Sequence, residues 1–130
     1  MARAAFDFNH YLGVLADARG QKIPWINEIG KESFPQYPVE ILAFAQSFYK
    51  STEYDPYADA VVNRAGFHEG IPEADVAKIA QTSDDVTLVR AVLSIVVRGE
   101  RQTQGTWAAL IEAGILYDLV LRLRNLTDRA

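Results

Sequence analysis

The chain has 130 residues, 49% hydrophobic and 23% charged, with a formal net charge of −4 and no cysteine. That length suits one domain closing a single core, the apolar fraction excludes a disordered chain, and the lack of cysteine excludes a disulfide framework, a thiolate metal site or a cysteine nucleophile. No apolar run approaches the roughly 18 residues of a membrane span, and MARAAFDFNH lacks the long apolar segment of a signal peptide, so the expectation is a cytoplasmic protein with no membrane partner.

Phe8, Tyr11, Leu12, Leu15 and Ala18 recur at helical spacing and predict an amphipathic helix over about 7–18, ended by Arg19-Gly20. Residues 19–36, with Pro24, Gly30 and Pro35, predict a long irregular stretch pinned by Trp25 and Phe34. A loop of that length in a small domain is functional or held by its own side chains. Residues 23–26 allow a short extended segment but do not predict a sheet. Pro38 suits the first turn of the next helix, where its missing N–H costs nothing, and Ile41, Leu42, Ala45, Phe48 and Tyr49 form a broad apolar face.

Asp55-Pro56 reads as a capping carboxylate followed by proline at the first helical position, opening a short helix that stops at Gly66. Ile71-Pro72-Glu73 opens another through about Ala80, and Thr82-Ser83-Asp84-Asp85 caps the one after it. Residues 86–98, VTLVRAVLSIVVR, contain six β-branched aliphatics, which favour a strand. Against that, Thr87, Arg90, Ser94 and Arg98 fall within about 80° of one another at helical pitch, and the run is long for a strand. A helix with one narrow polar stripe is the reading, and it should be the most buried helix of the fold.

Gly99 ends that helix and GERQTQG makes a tight polar connection. A further helix is predicted from about Thr103 to Ala113, with Gly114 as a break or close-contact point. The last helix buries Leu116, Leu119, Val120 and Leu123, and Asp118 and Arg122 are placed for an i,i+4 pair worth about 0.2–0.5 kcal/mol. The predicted fold is all-α: one domain over residues 1–130, a bundle of five to seven helices around a buried helix at about 84–98.

Charge is unevenly placed. Residues 53–85 carry eight acidic side chains against Arg64 and Lys78. Asp55, Asp59, Glu69, Glu73 and Asp75 within that stretch are the candidate surface for a basic protein partner, the plain alternative being a solvated helical face. Residues 86–130 carry six arginines and no lysine. Arg90, Arg98, Arg101, Arg122, Arg124 and Arg129 spread over at least two helices of an acidic chain, so nucleic acid is not an expected partner.

Catalytic constellations are thin. His10 stands on a predicted helix with no second ligand at metal spacing, and His68-Glu69 lies in a glycine-flanked loop. No phosphate-binding glycine loop, nucleophile elbow or HExxH is present. No catalytic residue, metal or cofactor is therefore expected. The densest polar group is Arg98-Gly99-Glu100-Arg101, with Trp107 and Arg122 further on. It suits an anionic ligand, since arginine offers a planar donor fork. It equally suits a structural clamp, with Arg98 at a helix C-terminus and Glu100 paired to either arginine.

The segment from Arg98 to Leu126, RGERQTQGTWAALIEAGILYDLVLRLRNL, resembles the C-terminal part of the domain family DUF6508. The family pattern places an R-x-[DE]-R turn before a glycine, a small-residue helix closing on glycine and a helix ending in Arg-Leu. Arg98, Glu100, Arg101, Gly105, Gly114, Arg122 and Leu123 occupy those places in order. Upstream, Tyr37-Pro38, the apolar helix after it and YDPY extend the resemblance to about residues 34–126. Gln102 and Thr103 replace an aromatic and a cysteine of the pattern, and Thr106 and Ile115 replace histidines. The resemblance implies a small helical protein of bacterial or phage origin with no established reaction.

The functional expectation is a non-enzymatic protein-interaction module, its partner another protein or a second copy. Trp25, Phe34, Tyr54 and Tyr57 are the aromatics that would serve an interface. Two alternatives stand beside it. One is a phage-type inhibitor that presents the acidic surface to a host defence complex. The other is a small anionic-ligand-binding domain built on the Arg98/Arg101 turn.

Overall fold

A computed structural model of the chain describes residues 4–27, 29–30 and 33–128; part of the predicted 19–36 loop, and Arg129, lie outside the described residues. In chain order the elements are α1 (Phe8–Ala18), β1 (Trp25–Ile26), β2 (Phe34–Pro35), α2 (Val39–Tyr49), α3 (Ala58–Arg64), α4 (Glu73–Thr82), α5 (Val86–Gly99), α6 (Thr106–Glu112) and α7 (Ile115–Asp128). The described residues thus form a mostly helical domain. None of their helices is long and apolar enough to cross a membrane.

α5 is a helix despite its β-branched content, and its start shows why. The Asp85 side chain accepts from the backbone N–H groups of Thr87 and Leu88 at 3.0 and 3.3 Å, satisfying two donors that a helix start leaves orphaned. Val89, Ala91, Val92, Leu93, Ser94, Val96 and Val97 are buried. α5 packs against α2, α3, α4, α6 and α7, while α1 reaches the core through α2, α6 and α7. The central role is shared: α7 meets α1, α4, α5 and α6 and buries Leu116, Leu119, Val120 and Leu123 completely.

The polar stripe of α5 receives the chain segment before α3. Arg90 grips Glu53 Oε1 with Nε and Nη2 at 3.1 and 3.0 Å. Buried Ser94 accepts the Asp55 N–H at 2.9 Å and donates to the Arg90 carbonyl at 2.8 Å. Arg98 pairs with Asp59. Three residues at helical i, i+4, i+8 spacing therefore hold the beginning of the acidic stretch, and Ala58 and Val62 of α3 are buried behind it.

Several expectations are corrected. The 19–36 stretch contains a two-stranded antiparallel sheet, Trp25 opposite Pro35 and Ile26 opposite Phe34, extended by the Gln36 N–H on the Pro24 carbonyl at 2.8 Å. Its buried anchor is Ile23, 4% exposed, whereas Trp25 is 44% exposed. Asp55 does not open α3 directly; its carboxylate accepts the Tyr57 N–H at 2.8 Å in a local turn, and the helix begins at Ala58. Pro38 and Pro72 stand at the N-cap positions of α2 and α4, one step before the first helical residue. α6 begins at Thr106 rather than Thr103, because Gly105 adopts a left-handed conformation (φ +93°) that no helix can include. A Cβ there would also lie 2.7 Å from the Trp25 ring, so the position needs glycine for space as well.

Arg122 ignores Asp118. Its Nε donates to the Ala80 carbonyl at 3.1 Å and Nη2 to the Gln81 carbonyl, so it satisfies the last turn of α4. Carbonyls at a helix C-terminus carry the negative end of the dipole and lack intrahelical partners, which outbids a half-buried carboxylate one turn away.

Replacing Ser94 by alanine should cost about 1–3 kcal/mol in urea unfolding, because the Asp55 N–H loses its acceptor on the face of α5. A cost near zero would show that the 53–59 segment is not held there.

Candidate functional site

The α5–α6 corner is built on one carboxylate. Glu100 follows the last residue of α5 with helical backbone angles. Its Oε2 accepts the Gly105 N–H at 2.7 Å, and its Oε1 accepts the Trp107 N–H at 2.9 Å and the Tyr37 hydroxyl at 2.8 Å. The Tyr37 oxygen in turn accepts the Ala108 N–H at 3.0 Å, and the Thr106 N–H reaches the Thr103 carbonyl at 3.3 Å. All four donors at the start of α6 are thereby satisfied, two by a charged acceptor at the positive end of the helix. Trp107 Nε1 donates to the Val96 carbonyl at 2.9 Å and ties α6 back to α5.

The Tyr37 hydroxyl is held well above the ordinary tyrosine pKa, first by burial and then by its hydrogen bond to the Glu100 carboxylate. Ionisation would place a phenolate against that carboxylate. The Ala108 N–H opposes the shift and does not overcome it.

This arrangement replaces the predicted pairing of Glu100 with Arg98 or Arg101. The helix start offers backbone donors within reach, while both arginines are drawn elsewhere. Arg98 goes to Asp59, and the Arg101 guanidinium lies 5.8 Å from the centre of the Tyr49 ring. The Arg98–Asp59 contact raises the Arg98 pKa further, against a desolvation effect that acts to lower it.

Beside the corner lies an open cleft of about 670 Å³ between α2, the β2 strand and the start of α6. Its walls include Phe34, Leu42, Tyr49 and Trp107, with Lys50, Arg98, Glu100 and Arg101 among its polar residues. The cleft thus gathers Arg98, Glu100, Arg101 and Trp107 of the sequence candidates and leaves out Arg122 of α7, whose side chain is bound to the end of α4.

Leu42 and Tyr49 were expected in the core. They are 49% and 46% exposed, because Ile41, Phe44, Ala45 and Phe48 already make the buried face of α2. Val39, Leu42, Gln46 and Tyr49 recur at steps of three, four and three, a second, largely exposed stripe along the same helix, with the Tyr49 ring meeting Tyr54. Tyr37 was missed as well. Tyr37-Pro38 was noticed only as part of the resemblance, and nothing in the sequence ties it to a carboxylate 63 positions later.

The acidic candidates divide. Asp55 is half-buried in its turn and Asp59 is bound to Arg98. Glu69 and His68 line a separate hollow with Asp59 and Arg98, and His68 Nδ1 contacts Asn63 Oδ1. Glu73 and Asp75 stand in the first turn of α4, where carboxylates favour the helix dipole. Among the described residues no three His, Cys, Asp or Glu side chains are grouped to hold a metal ion.

Residues 65–129 match the model of DUF6508, a family of unknown function. The match takes in Glu100 and its corner but begins after Tyr37-Pro38. No curated protein and no solved structure matches the chain.

Two substitutions separate the corner's parts. Glu100→Ala should destabilise the fold by at least about 2 kcal/mol, since the Gly105 and Trp107 N–H groups lose their acceptor together. Tyr37→Phe should cost about 1 kcal/mol through the Ala108 N–H. Because the folded-state pKa of Tyr37 is raised, its contribution is complete below the unfolded tyrosine value of about 10 and is lost as pH rises beyond it. Unfolding free energy of the wild type should fall more steeply above pH ~10 than that of Tyr37→Phe; equal slopes would contradict the buried hydrogen bond.

Proposed function

The chain belongs to the DUF6508 family, and from the geometry of its own residues we propose that it is a non-enzymatic protein-interaction module whose docking surface is the cleft beside α2. The observation that carries this reading is the second apolar stripe of α2. Val39, Leu42 and Tyr49 are each at least 46% exposed and continue through Leu42 and Tyr49 into the cleft beside Phe34. Apolar side chains scattered singly on a surface need no explanation, but Leu42 and Tyr49, on one helix face around Gln46, meet Phe34 and Trp107 in the same cleft, and such a grouping marks a face built to be covered.

The corner supports the same reading from the chemical side. Glu100, the one carboxylate on the cleft wall among the described residues, accepts three hydrogen bonds from the protein itself, which leaves it little freedom for proton transfer. A general acid or base must reach a substrate proton, and Glu100 is turned to the helix start instead. The cleft is shaped to bind.

The acidic-surface alternative, including a phage-type inhibitor of a defence complex, has less support. Glu53 and Asp59 are spent on Arg90 and Arg98, which reduces the charge available to a basic partner. A reading as a small anionic-ligand site loses Arg122 to α4 and Arg98 to Asp59.

Leu42→Asp and the acidic-surface variant Glu69→Lys/Glu73→Lys test this together. Both should stay folded and lose no more than about 2 kcal/mol, since Leu42 is half exposed and Glu73 contributes about 0.3–1 kcal/mol through the helix dipole. In affinity capture from the native host, Leu42→Asp should lose a protein that the wild type and the lysine variant both retain. Loss confined to the lysine variant would move the interface to the acidic surface.

A further inference from the structure

Resting on the reading of the cleft as a docking surface, we infer that its occupant is an acidic amphipathic helix of a partner protein. Apolar side chains on one face of that helix seat against Leu42, Tyr49 and Phe34, and its carboxylates face Lys50 and Arg101.

Charge comes first. The titratable residues that line the cleft are Tyr37, Tyr49, Lys50, Arg98, Glu100 and Arg101. Asp59 pairs with Arg98, and Glu100 keeps its negative charge but turns it to the start of α6. Lys50 and Arg101 are exposed, and neither forms an ion pair among the described residues. Among the described residues, the opening of the cleft therefore carries two cations without an ion pair, Lys50 and Arg101, on a chain whose net charge is −4. A local reversal of sign against the overall field selects an anionic partner and rejects a cationic one.

The apolar pattern selects the shape. Val39 to Tyr49 spans ten residues of helix, about 15 Å, which is the length of roughly three helical turns in a partner. Ridges of side chains along one helix accept those of another laid beside it, with anchors at i, i+3 or i+4, and i+7. An extended strand fits less well. The strand bordering the cleft is β2, two residues long and containing Pro35, which has no N–H to offer an added strand. A second copy of this chain also fits less well, since the same face would bring Lys50 and Arg101 against their own counterparts. Arg101 is already poised: its guanidinium, beside the Tyr49 ring, can turn to a carboxylate while its stem covers apolar surface.

The test is a selection from random displayed peptides of about 15 residues, three to four helical turns, on the full chain. Enriched peptides should carry net negative charge with apolar residues at helical spacing. They should bind the Lys50→Glu/Arg101→Glu variant at least about tenfold more weakly than wild type, with circular dichroism confirming that the variant is folded. Enrichment of uncharged or basic peptides, indifference to the charge reversal, or no enrichment at all would overturn the inference. Two further outcomes separate it from the reading beneath it. Non-acidic peptides that Leu42→Asp abolishes would leave the docking surface standing with a different ligand. Peptides indifferent to Leu42→Asp would sink both. Self-association by sedimentation, abolished by Leu42→Asp, would make a second copy the occupant and overturn the acidic helix.

Discussion

The Glu100 carboxylate is the interaction on which the rest of the structure depends. Two oxygens accept three donors from two parts of the chain, and the effect is to cap α6, close the α5–α6 corner and fasten the Tyr37 segment at the entrance to α2. A seven-residue helix has few hydrogen bonds of its own with which to offset its nucleation, so its first turn depends on outside acceptors. Charged acceptors at the positive end of the dipole are the strongest available. Remove the carboxylate and α6 loses its cap, and the Trp107 side chain is left to its single hydrogen bond to the Val96 carbonyl as the tie between α6 and α5.

The same economy governs the acidic stretch. At the level of the sequence, residues 53–85 read as surplus negative charge waiting for a partner. In the fold, Glu53 and Asp59 are counterions to Arg90 and Arg98, and the Asp55 backbone is bonded to Ser94 between them. The charge separation along the chain is partly an internal pairing of the α5 stripe with the segment packed upon it. Glu69 and Glu73 stay exposed on the acidic side, while the cleft carries Lys50 and Arg101, which form no ion pair among the described residues. That contrast moves the candidate interface from the acidic middle of the chain to the face of α2.

Much of the fold was legible because helical periodicity and caps are local. The Asp85 cap, the helix over 86–98 and its stripe of Arg90, Ser94 and Arg98 all follow from residues within a few turns of each other. What the stripe would bind did not follow, since periodicity says which way a side chain points and not what waits there. The corner was legible as a clamp but not in its chemistry. Arg98 and Arg101 are the obvious partners of Glu100 by proximity in sequence, yet backbone donors five and seven residues on win because Gly105 turns the chain back onto the carboxylate. Leu42 and Tyr49 were misjudged for a related reason. An apolar residue on a helix next to a buried face reads as core, and only the packing of α2 on its neighbours shows that its buried face was already filled. Gly105 itself offered a clue, as a glycine placed just before a helix marks a backbone turn that a capping side chain can use.

Amide hydrogen exchange at Gly105, Trp107 and Ala108 tests the Glu100 clamp most directly. N–H groups in the first turn of a short helix exchange quickly when nothing but water accepts from them. The account predicts that these three are protected as strongly as the interior amides of α6, and that Glu100→Gln weakens the protection of all three together. Fast exchange in the wild type, at the rate of amides that donate only to water, would contradict it.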